Sequence, residues 1–220
     1  MDIASHWNQL HNQQRFRPIY PNEHVVRFLM ANRGIQEGSS RPRFLDIGLG
    51  AGRHTRLAAE LGLDAFGIDI SFAGLSHARN RTLEVQPQCR IALSSFTALP
   101  FPDDCFHLVL SFGVFYYGTA QDMRQAIAEA HRVMVPHGKL FAVLRTTQDY
   151  RYGKGEEIAP QTFRLTITDT NECGTTQHFL TASNIPDYFQ QFRTVVFEKT
   201  ETTTVQRTQL HSDWLILAEK

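Results

Sequence analysis

Cysteine is scarce in this sequence, and the few cysteines follow no metal-binding pattern. The 220 residues include three, Cys89, Cys105 and Cys173, an odd number without metal-ligand spacing. A disulfide framework and a cysteine-based metal site are therefore not indicated, and we expect reduced thiols and no bound metal. This usage is typical of a cytoplasmic protein.

A net charge and a long apolar run are also absent. Lys and Arg total 22, as do Asp and Glu, so no field of the whole protein attracts nucleic acid or an anionic membrane. The apolar runs have the length of strands, and the N-terminal "MDIASHWNQLHNQQ" is polar, which predicts neither a membrane span nor a signal peptide. We therefore expect no nucleic-acid partner and no membrane partner.

What the chain does contain is an alternation of strand and helix patterns. Short apolar runs predict five strands, and segments with the period of a helix lie before and between them. The predicted strands are 43–48, 65–70, 90–96, 106–112 and 139–145, and the predicted helices are 21–34, 53–62, 72–84 and 120–135. This alternation is typical of a parallel sheet with crossover helices on both faces.

The chain changes character after residue 145. Residues 146–179 are polar and rich in Gly and Thr, with a short hairpin predicted around "TFRLTITDT". A helix is predicted at 185–192, followed by strands at 194–208 and 212–219, and their short polar connection favours antiparallel pairing. We expect one domain with an insertion and a parallel sheet with an antiparallel edge.

Three glycines follow the first predicted strand in "RFLDIGLGAGRHT", residues 43–55. Open α/β sheets bind ligands at this end of their strands. Arg53 occupies the place of the last glycine in the dinucleotide pattern G-x-G-x-x-G, which disfavours NAD, and no GK[ST] follows, which excludes a P-loop. A turn without a ligand remains an alternative on these glycines alone.

Asp69 ends the second predicted strand and favours an adenosine ligand. A carboxylate there can accept hydrogen bonds from both ribose hydroxyl groups. The alternative role of Asp69 is to cap the next helix, but Ser71 can do that.

Four motifs in order resemble those of class I S-adenosylmethionine-dependent methyltransferases of the small-molecule type. "FLDIGLGAGRHT" followed by "FGIDIS" resembles motif I and its sequel. "TALPFPDDCFHLVLSFGVFYYG" is similar to the segment from the adenine-binding loop through strand four, and "HRVMVPHGKLFAV" to the turn before strand five. The resemblance covers about residues 43–145. It implies a Rossmann-like three-layer sandwich, an α/β fold with a seven-stranded, mostly parallel sheet whose last strand is antiparallel.

The cofactor implied by this resemblance is S-adenosylmethionine, with S-adenosylhomocysteine as product. Glycines of the loop then lie against the methionine part, which Asp46 helps to orient, and Asp69 binds the ribose. Ser95 stands where the family often has Asp. The implied cofactor residues are Asp46, Gly48, Gly50, Gly52, Arg53, Asp69, Ile70, Ser95, Phe96, Ser111 and Phe112.

Arg53 and His54 fall in the first turn of the helix that follows the glycines. A cofactor carboxylate would be attracted to that helix N-terminus and to Arg53. Solvent exposure of both side chains is the alternative, and we expect it for His54.

Aromatic residues just beyond the fourth strand indicate the acceptor side. By resemblance, Phe115, Tyr116 and Tyr117 lie where family members often build the acceptor pocket, and we expect a functional role for one tyrosine. Methyl transfer is an in-line displacement that needs a general base only if the nucleophile arrives protonated. Tyr117 and His178 are the catalytic candidates.

Basic residues begin the insertion. Arg145, Arg151 and Lys154 are candidates for binding an anionic acceptor, although Glu156 and Glu157 follow at once and a balanced polar loop remains an alternative. The acceptor itself is expected to be a small molecule.

The predicted organisation is a single methyltransferase domain, as a monomer or a homodimer. By resemblance, residues 1–40, with Trp7, His11, Arg17 and Tyr20, form an N-terminal helical lid. Residues 41–145 form the cofactor-binding core and 146–180 the substrate-side insertion. Residues 181–220 form the final helix and the antiparallel strand pair.

Two other functions remain open. An NAD-dependent oxidoreductase would use Tyr150 and Lys154, which have the Tyr-x-x-x-Lys spacing but stand in a Gly-containing loop. The third hypothesis is a non-catalytic or RNA-directed protein that binds S-adenosylmethionine. The neutral charge and the absence of an N-P-P-[YF]-type motif after strand four disfavour methylation of a base amino group.

Overall fold

A seven-stranded sheet forms the centre of the molecule. The computed structural model describes residues 3–34, 41–85, 90–168 and 170–220; Cys89 lies outside these ranges. The strands of the sheet are β1 (Arg43–Ile47), β2 (Asp64–Asp69), β3 (Arg90–Leu93), β4 (Phe106–Phe112), β5 (Met134–Arg145), β9 (Thr194–Thr204) and β10 (Gln209–Glu219). Their spatial order is β3-β2-β1-β4-β5-β10-β9.

Six helices belong to the described ranges, together with a 3-10 turn at Gln14–Phe16. They are α1 (Ile3–His11), α2 (Glu23–Asn32), α3 (Arg53–Glu60), α4 (Phe72–Leu83), α5 (Ala120–Val133) and α6 (Ile185–Tyr188). None of them is long and apolar enough to cross a membrane.

Side chains of the sheet alternate between two cores. Phe44 packs with Val25 of α2 and Ala58 of α3, whereas its neighbour Leu45 packs with Ile127 of α5. Successive side chains of a strand point to opposite faces, so helices cover both faces of the sheet. The predicted three-layer α/β sandwich is confirmed.

The antiparallel strand lies one position further inside the sheet than predicted. β10 pairs antiparallel with both β5 and β9, and it is therefore flanked on both sides. The last strand does run antiparallel, as predicted, but β9 rather than β10 forms the edge.

Side chains that precede the helices account for where several of them begin. The carboxamide of Asn22 accepts a hydrogen bond from the backbone N–H of His24, and the hydroxyl of Ser71 accepts one from Gly74. The predicted capping role of Ser71 is thus confirmed. Thr119 and Asp122 form a reciprocal capping box at the start of α5, which satisfies two otherwise unpaired donors.

The insertion forms its own small antiparallel sheet. Its strands are β6 (Gly155–Ala159), β7 (Thr162–Leu165) and β8 (Thr176–His178), in the order β6-β7-β8. The hairpin thus lies earlier in the chain than predicted, because the chain turns at Gln161, whose φ is 59°. The helix predicted over 185–192 ends at Tyr188.

Candidate active site

A cavity of about 700 Å³ opens where β1, β2 and β4 end. This volume falls within the usual range of small-molecule sites. One wall, here called the strand-end wall, consists of Gly48, Gly50, Arg53, Asp69, Ile70, Ser95, Phe96, Thr97 and Phe112. The remaining lining residues, here called the outer wall, are Ile3, His6, Trp7, His11, Gly113, Val114, Tyr117, Gly118, Asp122, Cys173, Gly174, Thr175 and Thr176.

The glycine loop needs glycine for two different reasons. Gly48 has a φ of +74°, and a Cβ there would lie 2.3 Å from Cγ2 of Val114 on the outer wall. Gly52 has a φ of +80°, and its Cβ would lie 2.9 Å from Cβ of Ala78. Gly48 therefore allows the side chain of Val114 to approach the loop closely, whereas Gly52 lets α4 pack against the loop and does not line the cavity.

Asp69 joins the glycine loop to the start of α4. Its carboxylate accepts hydrogen bonds from the backbone N–H groups of Gly50 at 2.8 Å and Ser71 at 2.7 Å. Burial raises the pKa of this carboxyl group, while these hydrogen bonds and nearby His11 oppose the rise. The side chain is held in one orientation at the cavity wall.

Asp46 supports the loop from behind the cavity. Its carboxylate accepts a hydrogen bond of 2.8 Å from the hydroxyl of Thr55. Complete burial raises the pKa of this group to about 7. Ser111 is also buried behind the wall, and its hydroxyl has no hydrogen-bond partner within the described ranges.

The two residues after the glycines have different environments. Arg53 lines the cavity and donates a hydrogen bond of 3.2 Å to the carbonyl oxygen of Tyr20. His54 is buried and its Nε2 accepts a hydrogen bond from the backbone N–H of Asn22. The expectation of a solvated His54 was wrong, because the segment leading into α2 covers the start of α3. Burial lowers the pKa of His54 to about 3.

The known proteins that are similar to this chain include several methyltransferases. A family model described as "Methyltransferase domain" matches residues 45–142. The demethylmenaquinone methyltransferase of Tropheryma whipplei (strain Twist) is 37% identical over 97 residues, which are 44% of this chain and 38% of the relative. A probable tRNA methyltransferase 9B of Homo sapiens is 31% identical over 107 residues, 48% of this chain and 22% of the relative.

A solved SAM-dependent methyltransferase of Methanosarcina mazei has the same fold. Its TM-score is 0.71 at 20% identity, over 87% of this chain and 96% of that one. The family match over residues 45–142 and this fold support a class I S-adenosylmethionine-dependent methyltransferase. S-adenosylmethionine is the cofactor of this family. The chain spans less than half the length of the two curated relatives.

The aromatic triplet Phe115–Tyr116–Tyr117 contributes one side chain to the cavity. Phe115 and Tyr116 are buried in the core, and Tyr117 lines the outer wall. The hydroxyl of Tyr117 donates a hydrogen bond to Glu172. Burial and the carboxylate of Glu172 raise the pKa of Tyr117 well above its ordinary value. Tyr117 is therefore protonated at neutral pH and cannot accept a proton as a base.

Arg145 and Arg151 are paired inside the protein. Arg145 lies 2.7 Å from one oxygen of Glu172, and Arg151 lies 2.5 Å from the other. Arg151 also pairs with Asp149 at 2.9 Å. Burial opposes ionisation of Glu172, but the two guanidinium groups outweigh it and lower its pKa to about 2. The expectation that these arginines bind an anionic acceptor was wrong, since their charges are neutralised and neither lines the cavity.

His178 lies in β8 and does not line the cavity. Its Nδ1 is 2.8 Å from the hydroxyl of Thr162, and its Nε2 is 2.6 Å from the hydroxyl of Tyr188. Burial lowers its pKa to about 4. The interpretation of His178 as a catalytic base was wrong, because both ring nitrogens are occupied in the core.

Several residues that line the cavity were not predicted as site residues from the sequence. Thr97, on the strand-end wall, stands 2.8 Å from the hydroxyl of Ser95. Trp7 and Tyr117 meet edge to face with ring centroids 5.0 Å apart. The aromatic residues of the N-terminal segment did indicate a lid over the site. They did not identify His6 or residues 173–176 as part of the cavity wall.

Proposed function

We propose that this protein transfers the methyl group of S-adenosylmethionine to a small-molecule acceptor. The observation that carries the proposal is the cavity that joins the glycine loop and Asp69 to an aromatic outer wall. We also propose that residues 1–220 act as one methyltransferase domain. The segment 1–40 and the insertion 146–180 cover a cofactor-binding core of residues 41–145, and residues 181–220 add the final helix and strand pair.

The strand-end wall fits the cofactor chemically. A carboxylate offers about four lone-pair sites, and two of those of Asp69 are used by Gly50 and Ser71, so the rest can accept from ribose hydroxyl groups. Ile70 and Phe96 present apolar surface to an adenine. The hydroxyl of Ser95 can bind the edge of that ring.

The methionine part of the cofactor has complementary charge nearby. Arg53 and the N-terminus of α3 attract a carboxylate, and Phe112 adds an apolar wall beside them. Asp46, Gly52 and Ser111, which do not line the cavity, hold the loop and the strand end in place.

Positioning is the main task left to the protein. Bound S-adenosylmethionine supplies an activated methyl group, so the chain has to align the acceptor with it and exclude water. The enclosing outer wall suits a small acceptor, and the relative named for demethylmenaquinone supports one. The free thiols of Cys105 and Cys173 support a cytoplasmic location.

An RNA acceptor is the second candidate, favoured by the relative named as a probable tRNA methyltransferase. A filter-binding assay with tRNA at physiological salt separates the two candidates. We expect no retention of RNA, because the chain has no net charge. The oxidoreductase alternative is disfavoured because Tyr150 and Lys154 stand in a turn and not on one helix face.

Isothermal titration calorimetry with S-adenosylmethionine and S-adenosylhomocysteine tests the proposal. Both should bind, and Asp69→Ala should weaken binding by about 1–3 kcal/mol through loss of charge-assisted hydrogen bonds. Asp103→Ala is the matched control, because Asp103 is exposed and pairs with Arg132 at the surface. If the folded wild-type protein binds neither ligand, the proposed function fails. If Asp69→Ala keeps wild-type affinity, Asp69 has no ribose role.

A further inference from the structure

His6 is a histidine of the outer wall with a defined tautomer. Its Nε2 lies 2.9 Å from the backbone carbonyl oxygen of Asn171 in the insertion. A carbonyl oxygen can only accept, so Nε2 carries the proton and the neutral ring has its lone pair on Nδ1. Within the described residues, Nδ1 makes no hydrogen bond. The cavity wall therefore holds a histidine with an available proton acceptor.

The other titratable groups on the outer wall are less suited to accept a proton. Tyr117 is protonated and donates to Glu172. Asp122 accepts hydrogen bonds from the backbone N–H and the hydroxyl of Thr119 in the capping box. The ring of His11 lies against Gly50 and Gly74, which places it beside the glycine loop and Asp69.

The outer wall is aromatic and uncharged where it meets the insertion. The ring of Trp7 meets Tyr117 at 5.0 Å and His6 at 5.9 Å, edge to face in both cases. The adjoining residues 173–176 offer hydroxyl, thiol and backbone groups, and the outer wall includes no Lys or Arg. An anion buried there would lack a partner, which is costly, whereas a flat neutral ring fits.

We propose that His6 is the general base for methyl transfer to a neutral, flat aromatic acceptor that presents a hydroxyl group. This inference rests on the proposed function. The hydroxyl proton moves to Nδ1 of His6, which becomes an imidazolium. The acceptor oxygen bonds to the methyl carbon as the carbon–sulfur bond breaks, and the electron pair of that bond stays on sulfur. A base is needed because a hydroxyl nucleophile arrives protonated.

The ring nitrogens of His6 can be observed directly. Long-range ¹H–¹⁵N NMR of the full chain with S-adenosylhomocysteine should show the Nε2–H tautomer at neutral pH, and the Nδ1–H tautomer would overturn the proposal. The titratable and charged groups on the elements that meet His6 are His11, Arg15, Tyr117, Asp122, Glu172 and Cys173.

Three probes of one shape test the acceptor class in calorimetry with S-adenosylhomocysteine present. 2-Naphthol should bind at least fivefold more tightly than naphthalene or 2-naphthoate. Equal or tighter binding of the carboxylate, or no binding of 2-naphthol, overturns the neutral hydroxylated acceptor. Because S-adenosylhomocysteine binding is measured first, failure here is distinguishable from failure of the proposed function.

His6→Gln tests the base with labelled S-adenosylmethionine and 2-naphthol. The glutamine amide can still donate to the Asn171 carbonyl but cannot take up a proton. We expect methylation on oxygen, a loss of about 10²–10⁴-fold in kcat, and unchanged S-adenosylhomocysteine affinity. His137→Gln, at an exposed position of β5, is the control. No transfer by the wild type, transfer to ring carbon, or an unchanged kcat in His6→Gln overturns the proposal.

Discussion

Asp46 is a carboxyl group that the fold encloses completely. An unfolded carboxyl ionises near 3.8, whereas burial raises the pKa of Asp46 to about 7 in the folded protein. Between these values the folded state binds more protons than the unfolded state. The free energy of unfolding attributable to Asp46 therefore falls as the pH rises from about 4 to about 7.

Asp46→Asn should stabilise the protein at alkaline pH. The carboxamide oxygen can still accept the Thr55 hydroxyl, and no buried charge has to form. The shift of about three pKa units sets an upper limit of about 4 kcal/mol, reached above pH 7 and absent below pH 4. Urea unfolding without cofactor at pH 5 and pH 8 measures it. Asp103→Asn, at an exposed site, should change nothing, and equal stability of Asp46→Asn and wild type at pH 8 would contradict the prediction.

Some site residues were predictable because their signal is local. The glycines, Asp69 and Ser71 lie next to strand ends that apolar runs mark in the sequence. Arg145 and Arg151 were misinterpreted because the carboxylate that they share, Glu172, lies more than 20 residues further along the chain, although Arg151 also pairs with nearby Asp149. Pairing of charges across a folded insertion leaves no local pattern.

At the scale of elements, Glu172 fastens the insertion to the core. Its carboxylate binds Arg145 at the end of β5, Arg151 in the following turn and Tyr117 after β4. Because Tyr117 lines the cavity, the same contacts set the position of the outer wall. The insertion is thus built into the site through one buried carboxylate.

Glu172→Gln should loosen the insertion. The change leaves Arg145 buried without a counter-charge, and breaking a buried ion pair from one side costs about 3–5 kcal/mol. Urea unfolding gives the loss of stability, and hydrogen exchange should rise first at residues 162–178. Glu156→Gln is the matched control in the same insertion, because its pair with Arg164 is exposed and should cost less than about 1 kcal/mol. Equal effects of the two substitutions would refute the anchoring role.

Helix α1 directs most of its apolar side chains to the cavity and not to a core. Its contact with α4 is polar, since the carboxamide oxygen of Asn8 accepts from the backbone N–H of Ala73 and the hydroxyl of Ser71. Ile3 and Trp7 line the cavity instead of entering a core. Ile3, Trp7 and Leu10 recur at helical spacing, but only Leu10 of these is buried, so this apolar stripe faces the ligand cavity more than a core.

For the whole molecule, the buried titratable groups act in two opposing sets. Burial raises the pKa of three carboxyl groups, Asp46, Asp69 and Asp213, and lowers the pKa of six imidazole rings, His11, His54, His77, His131, His178 and His211. Asp46 and Asp213, with folded pKa values of about 7 and about 6, bind extra protons in the folded state between pH 4.5 and 6. His54 and His178, with folded pKa values of about 3 and about 4, bind fewer protons when folded than when unfolded in this window. The two sets therefore change the free energy of unfolding in opposite directions as the pH rises.

Replacing two of the rings should change how the free energy of unfolding depends on pH. His54 and His178 have folded pKa values of about 3 and about 4, below their ordinary 6.5. Each therefore makes the free energy of unfolding rise with pH by about 1.4 kcal/mol per unit between these limits. In His54→Gln/His178→Gln both contributions vanish, so the slope of the free energy of unfolding against pH between 4.5 and 6 should be lower than in the wild type by about 2–3 kcal/mol per pH unit. Urea unfolding at three pH values measures the slopes, and a slope equal to that of the wild type would show that the two rings are not held neutral by the fold.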